Sequence, residues 1–134
     1  MKRFIVIFFL CLILPTVACG EMINTVNIRI EIDLMKQGTS KWDQSNIFGP
    51  EPDPYGKIII CNVEFPIELK NTYNIDMSFK NANMSIGDPI TIDLKDKDRG
   101  RWDDDICSGT IHWNGEPQME VRHGQTTIKL DFIM

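Results

Sequence analysis

The stretch VNIRIEIDL, residues 26 to 34, constrains this chain more than any other. Val26, Ile28, Ile30, Ile32 and Leu34 share one parity, and Asn27, Arg29, Glu31 and Asp33 share the other. Side chains alternate across a strand but recur every 3.6 residues around a helix, so an unbroken period of two specifies a strand with one face in a core and one in water. The period returns in Tyr73-Ile75-Met77-Phe79, in Ile90-Ile92-Leu94 and in Ile128-Leu130-Phe132. KIIIC at 57–61 lacks the alternation and reads as a strand buried on both faces. No amphipathic helix intervenes. The separators are turn chemistry: PEPDPYG at 50–56, KNAN at 80–83, IGDP at 86–89, NGEP at 114–117 and HGQ at 123–125. Short strands punctuated in this way predict an all-β fold, an antiparallel Greek-key β-sandwich of about eight strands.

The first residues differ in kind. Lys2 and Arg3 precede the apolar run Phe4 to Leu14, followed by Pro15 and the small residues around Ala18 and Gly20. This is the layout of an export signal, and the run is well short of the ~20 residues that span a bilayer. Val17-Ala18-Cys19 resembles the lipobox of bacterial lipoproteins. That resemblance implies lipid on Cys19, which becomes the mature N-terminus of a membrane-anchored protein on the periplasmic or cell-surface side. Cleavage by an ordinary signal peptidase near Gly20 gives a secreted protein instead. The expected organisation is a signal peptide at 1–18, a tether at 19–25 and one sandwich domain at 26–134.

Charge narrows the partners. The formal charge is −5, and removing residues 1–18, which hold two bases and no acid, makes it more negative by two. Such a chain is repelled by nucleic acid, and by an anionic surface unless a cation intervenes. Cys61 and Cys107 remain in a compartment that tolerates disulfides. A Cys61–Cys107 bridge is possible, but Cys61 lies six residues along a strand from Tyr55 while Cys107 follows Asp105 closely; two half-buried free thiols fit that spacing better.

One segment breaks the ordinary strand pattern. TIDLKDKDRGRWDDDIC, residues 91–107, holds six aspartates. Two carboxylates about 5 Å apart repel by roughly 3 kcal/mol at the effective dielectric of a protein surface. The interleaved bases do not relieve this, because in an extended segment Asp96 and Asp98 share one face while Lys95, Lys97 and Arg99 share the other. A second acidic place, KWDQSNIFGPEPDPYG, carries Asp43 and Asp53. Four strands are expected between the two, and an even number of antiparallel passes returns the chain to the same end.

DPYGKIII, ITIDLKDKD and DDDICSG together resemble the C2 domain family, calcium-dependent membrane-binding β-sandwich modules with a D…(S/P)DPY first loop and a D-x-D…D-(I/L)-I-G third loop. The resemblance implies that Asp43 and Asp53 are first-loop calcium ligands, that Asp96 and Asp98 are the D-x-D pair, and that Asp105 or Asp104 is the last ligand. The chemistry of the residues agrees. Calcium (Ca2+) takes six to eight oxygens in flexible geometry, whereas zinc prefers His or Cys, and the available His112, His123 and cysteines sit apart. The competing reading is a solvated acidic loop without metal.

Ile47 and Phe48 fall at the expected tip of the first loop, and Arg99, Arg101 and Trp102 at that of the third. Apolar tips beside a cation suit insertion into a lipid interface, with Arg pairing phosphates; Phe48 and Trp102 packing loop on loop is the alternative. The functional expectation is a non-catalytic, calcium-binding module that docks to anionic phospholipid, or to an acidic or phosphorylated partner, through its two Asp-rich loops. A metal-independent adhesion or assembly domain is the second reading. An enzyme is disfavoured, because no nucleophile, base and orienting group occur in a recognisable arrangement.

Overall fold

A computed structural model describes residues 22–35, 42, 51–97 and 103–134. Every regular element among them is a strand: β1 (Ile23–Ile32), β2 (Pro54–Ile60), β3 (Val63–Glu68), β4 (Asn74–Met84), β5 (Pro89–Asp96), β6 (Asp104–His112), β7 (Gln118–His123) and β8 (Thr126–Ile133). They form two antiparallel sheets, β4-β1-β8-β7 and β3-β2-β5-β6, so neighbours in space are repeatedly distant in sequence, as in a Greek key.

The inner faces are the alternating residues. Val26, Ile28 and Ile30 of β1 and Ile128 and Leu130 of β8 are at most 2 % exposed, as are Ile58, Ile90, Ile92 and Leu94 from the facing sheet. Aromatic pairs close the packing: Phe65 lies 4.5 Å from Phe79, and Trp113 stacks on Phe132 at 5.3 Å between centroids. These side chains leave water together, at about 25 cal/mol per Å² of apolar surface, and that holds the sheets face to face.

The structure corrects five expectations. Strand β2 is not buried on both faces: Ile58 and Ile60 point inward, while Ile59 lies opposite Glu64 and Thr91 and is half-exposed. Cys61 is not in the strand but in the β2–β3 turn, with Asn62, both at positive φ. Leu34 lies beyond β1 and is 69 % exposed. Strand β1 begins at Ile23, inside the expected tether, because an irregularity between Ile23 and Thr25 breaks the alternation and leaves Ile23 and Val26 both buried. Strand β7 also escaped the alternation, since its inward residues Met119 and Val121 are only half-buried and His123, expected in a turn, ends the strand.

Candidate functional site

One end of the sandwich collects the acidic segments. The register aligns Pro54, Asp96 and Asp104 across β2, β5 and β6, so the connection entering β2 and the connection between β5 and β6 leave the same rim. The second sheet ends there too. Ile32 lies opposite Thr126, and the Thr126 hydroxyl, fully buried, donates to the Ile106 carbonyl at 2.8 Å and ties β8 to β6. Arg122 of β7 pairs with the Asp33 carboxylate through both guanidinium nitrogens, and Asp33 N–H donates to the Gln125 carbonyl at 2.8 Å. Beneath the rim, Trp42 is 1 % exposed and its indole N–H donates to the Asp33 carbonyl at 2.7 Å.

Asp53 and Asp96 are in direct contact. Asp53 N–H donates to Asp96 Oδ1 at 2.7 Å, Asp53 Oδ1 accepts from Asn71 N–H at 2.8 Å, and the Asp53 carbonyl accepts from Lys97 N–H at 3.1 Å. Asp96 continues the inward parity of Ile90, Ile92 and Leu94 and is 1 % exposed, whereas Lys95 and Lys97 point outward, with Lys97 reaching Glu68 at 3.2 Å. Asp96 turns in and the two lysines turn out, as parity dictates.

The register also separates Asp104 from Asp105. Asp104 lies opposite Asp96 and is half-buried, while Asp105 lies opposite outward Lys95 and is exposed. A bulge at Leu94/Lys95 produces this phase: Ile106 and Cys107 are both buried, so the alternation restarts between them. Next to them, the Asp103 carboxylate accepts from the Tyr55 hydroxyl, which raises the Tyr55 pKa. The Tyr73 pKa is also raised, chiefly by burial and then by the charges of Glu51 and Asp96.

Asp43, Ile47, Phe48, Asp98, Arg99, Arg101, Trp102 and Cys19 lie outside the described residues. Among the described residues, no group of three His, Cys, Asp or Glu side chains is arranged to hold a metal. The described part of the expected ligand set is therefore Asp53, Asp96, Asp104 and Asp105, with the Asp53 amide on the Asp96 carboxylate and Asp104 across from Asp96. Their carboxylates offer only oxygens, which suits a hard cation.

The Cys61–Cys107 bridge is not formed; both thiols are free. Cys61 follows Ile60, which lies opposite Ile90, whereas Cys107 lies opposite Leu94. Four steps along β5 separate the two levels by about 13 Å, beyond the ~7 Å limit for Cα atoms of a disulfide. Cys61 Sγ lies 3.6 Å from Asp88 Oδ2. The Cys107 thiol is pushed up to about 11, by burial first and then by Asp105 and Asp93. His112 Nδ1 lies 3.0 Å from the Gly87 carbonyl, and the His123 ring flanks Gly109.

Two exposed apolar residues at the rim were not singled out by the sequence, Met35 (38 %) and Leu69 (40 %), and Leu34, expected on the core face, is a third. Elsewhere, the outer face of the β4-β1-β8-β7 sheet forms a shallow concavity of about 860 Å³ lined by Asn27, Arg29, Asp76, Gln118, Lys129 and Asp131. Its charges are mutually engaged: Arg29 with Asp76 at 2.6 Å, Lys129 with Glu31 at 2.9 Å and Gln118 with Asp131 at 2.8 Å.

No family model matches the chain, and no curated protein matches it. Among solved structures it is similar to the pair of C2 domains of Extended-Synaptotagmin 2, with a TM-score of 0.45, 16 % identity, and coverage of 98 % of this chain and 49 % of that one. It is also similar to human GIVD cytosolic phospholipase A2 in complex with methyl gamma-linolenyl fluorophosphonate, with a TM-score of 0.41, 13 % identity, and coverage of 86 % of this chain and 18 % of that one. The chain thus spans about half the length of the first and under a fifth of the second.

Proposed function

We propose that this protein is an exported, lipid-anchored, C2-like module that binds calcium at the acidic rim and through it docks to anionic phospholipid. The observation that carries the reading is the hydrogen bond from the Asp53 amide to the Asp96 carboxylate, which joins the two acidic segments, 43 residues apart in sequence, at one rim, with Asp104 opposite Asp96 in register. Carboxylates gathered at one rim against their mutual repulsion are best accounted for by a divalent cation. In this reading Asp53, Asp96 and Asp104 hold the ion together with Asp43 and Asp98. Positions left open on the cation accept lipid phosphate, and exposed Leu34 and Met35 enter the interface beside it. Asp104 takes the place of Asp105, which faces outward.

A calorimetric calcium titration of the chain tests this, paired with sedimentation on phosphatidylserine vesicles. The expected result is binding in the range of extracellular calcium, with vesicle association lost in chelator. No heat of binding and no calcium-dependent sedimentation refute it. The second reading, metal-independent adhesion, predicts partner binding unchanged by chelator.

A further inference from the structure

The free edge of β4 differs from the other sheet edges. Strand β3 carries Pro66, which has no N–H to offer, between Glu64 and Glu68. Strands β6 and β7 approach each other where the His123 ring flanks Gly109. Along Asn74–Lys80, β4 has neither protection, and Asn74, Asp76, Ser78 and Lys80 are exposed. The direction of its main-chain groups follows from one bond. Ile32 N–H donates to the Tyr73 carbonyl at 2.7 Å, so these two residues form a hydrogen-bonded pair of the antiparallel ladder. Counted along the register, Ile75, Met77 and Phe79 then aim N–H and C=O at β1, while Asn74, Asp76, Ser78 and Lys80 aim theirs away from the sheet. The row is closed at both ends. The Thr72 hydroxyl accepts from Asn74 N–H at 3.2 Å and donates to the Asn74 carbonyl at 2.8 Å. Beyond Lys80, Asn81 and Asn83 take positive φ and the register with β1 shifts. Among the described residues, nothing caps the edge-facing main chain of Asp76, Ser78 and Lys80.

We propose that this edge pairs with the same edge of a second copy of the chain, antiparallel about a two-fold axis through Ser78, so that two four-stranded sheets become one continuous sheet. Charge along the edge selects both partner and register. An axis through Ser78 sets Ser78 against its own counterpart and each Asp76 against the second copy's Lys80. An axis through Asp76 or through Lys80 would oppose like charges. The three pairs exchange about six main-chain hydrogen bonds, all from groups that β1 does not use. Asp76 is held on its other side by Arg29 at 2.6 Å, with the Asp76 side chain 60 % exposed, so a second cation can reach it. Lys80 has no acidic partner among the described residues and gains one. On the core side the same register places half-buried Met77 against the second copy's Phe79, in a non-hydrogen-bonded pair whose side chains lie close. The neighbouring β3 edges bring glutamates that their own chain already neutralises, Glu64 by Lys57 at 3.0 Å and Glu68 by Lys97 at 3.2 Å. No ion takes part, so the pairing is independent of the calcium reading.

Analytical ultracentrifugation of the full chain, over a concentration series and in chelator, tests this. The expected result is a reversible monomer–dimer equilibrium. Ser78→Pro removes one edge-facing N–H that the monomer does not use, so it should abolish the dimer while leaving Tm nearly unchanged. Charge exchange tests the register without touching the main chain. Lys80→Asp leaves two acids on the edge and Asp76→Lys two bases, so each variant alone should dimerise at least about tenfold more weakly than the parent. Mixed in equal amounts they should form a heterodimer, because every aspartate then meets a lysine. A parent that stays monomeric overturns the proposal, and the edge then serves no second copy. A folded Ser78→Pro chain that dimerises like its parent overturns it too, as does a mixture that associates no better than either charge variant alone. A dimer that forms only in calcium overturns it by assigning the contact to the acidic rim.

Discussion

Asp96→Asn should stabilise the calcium-free protein while abolishing its response to calcium. Asp96 and Asp104 face each other across the β5–β6 pair, where Cβ atoms lie about 5 Å apart. Carboxylates at that distance repel by about 3 kcal/mol at an effective dielectric of 20, and the half-exposure of Asp104 reduces this to about 1–2 kcal/mol. Asparagine keeps the Oδ1 acceptor that receives Asp53 N–H, so that bond survives while the charge is lost. In a domain of this size, 1–2 kcal/mol raises Tm by about 4–8 °C in chelator. The unmutated protein should gain about 1.4 kcal/mol at a calcium concentration ten times its Kd, and the variant almost none. Thermal melts of both proteins, in chelator and in millimolar calcium, give four values. A variant less stable than its parent in chelator, or one that keeps the calcium gain, refutes the reasoning.

Gly56→Ala should cost about 3 kcal/mol with or without calcium, read as a fall in Tm, because a Cβ at φ +141° would sit 2.0 Å from the Asp93 carbonyl oxygen of the neighbouring strand. Thr126→Val, nearly isosteric, should cost about 1–2 kcal/mol in denaturant melts by leaving the Ile106 carbonyl without the 2.8 Å hydroxyl donor; a change near zero would show that bond to be dispensable. Under a thiol reagent at neutral pH, half-buried Cys61 should label slowly and Cys107 only on unfolding, since burial holds its thiol at about 11. A raised thiol pKa contributes stability that is complete below the unfolded value, about 8.5–9. It is lost as pH rises through about 11, so alkaline melts should show a decline across that window that Cys107→Ala lacks.

The sandwich was legible because β1, β5 and β8 keep an unbroken period of two, and the shared rim because four strand passes separate the two acidic stretches. Legibility failed where the period did. Ile23 is buried out of phase behind an irregularity in β1, so a strand start read as tether. At β6, counting back from buried Cys107 selects Asp105 and counting back from buried Ile106 selects Asp104; only the bulge decides, and parity does not reveal bulges. Trp42 is a different failure. Nothing local distinguishes an aromatic side chain that plugs the end of a sheet pair from one at a loop tip, and its partner is a main-chain carbonyl nine residues away. Leu34 continues the apolar parity of β1 yet falls past the last ladder pair, where no facing sheet remains to cover it.

Asp53 joins three passes of the chain at once, through its amide to Asp96, its carboxylate to the Asn71 amide and its carbonyl to the Lys97 amide. Keystone and proposed ligand are thus one residue. An alanine there would slacken the arch and remove an oxygen in the same stroke, so lost ion affinity in Asp53→Ala would say little about coordination. Only a change that keeps the span and discharges it, Asp53→Asn, reads the two duties apart.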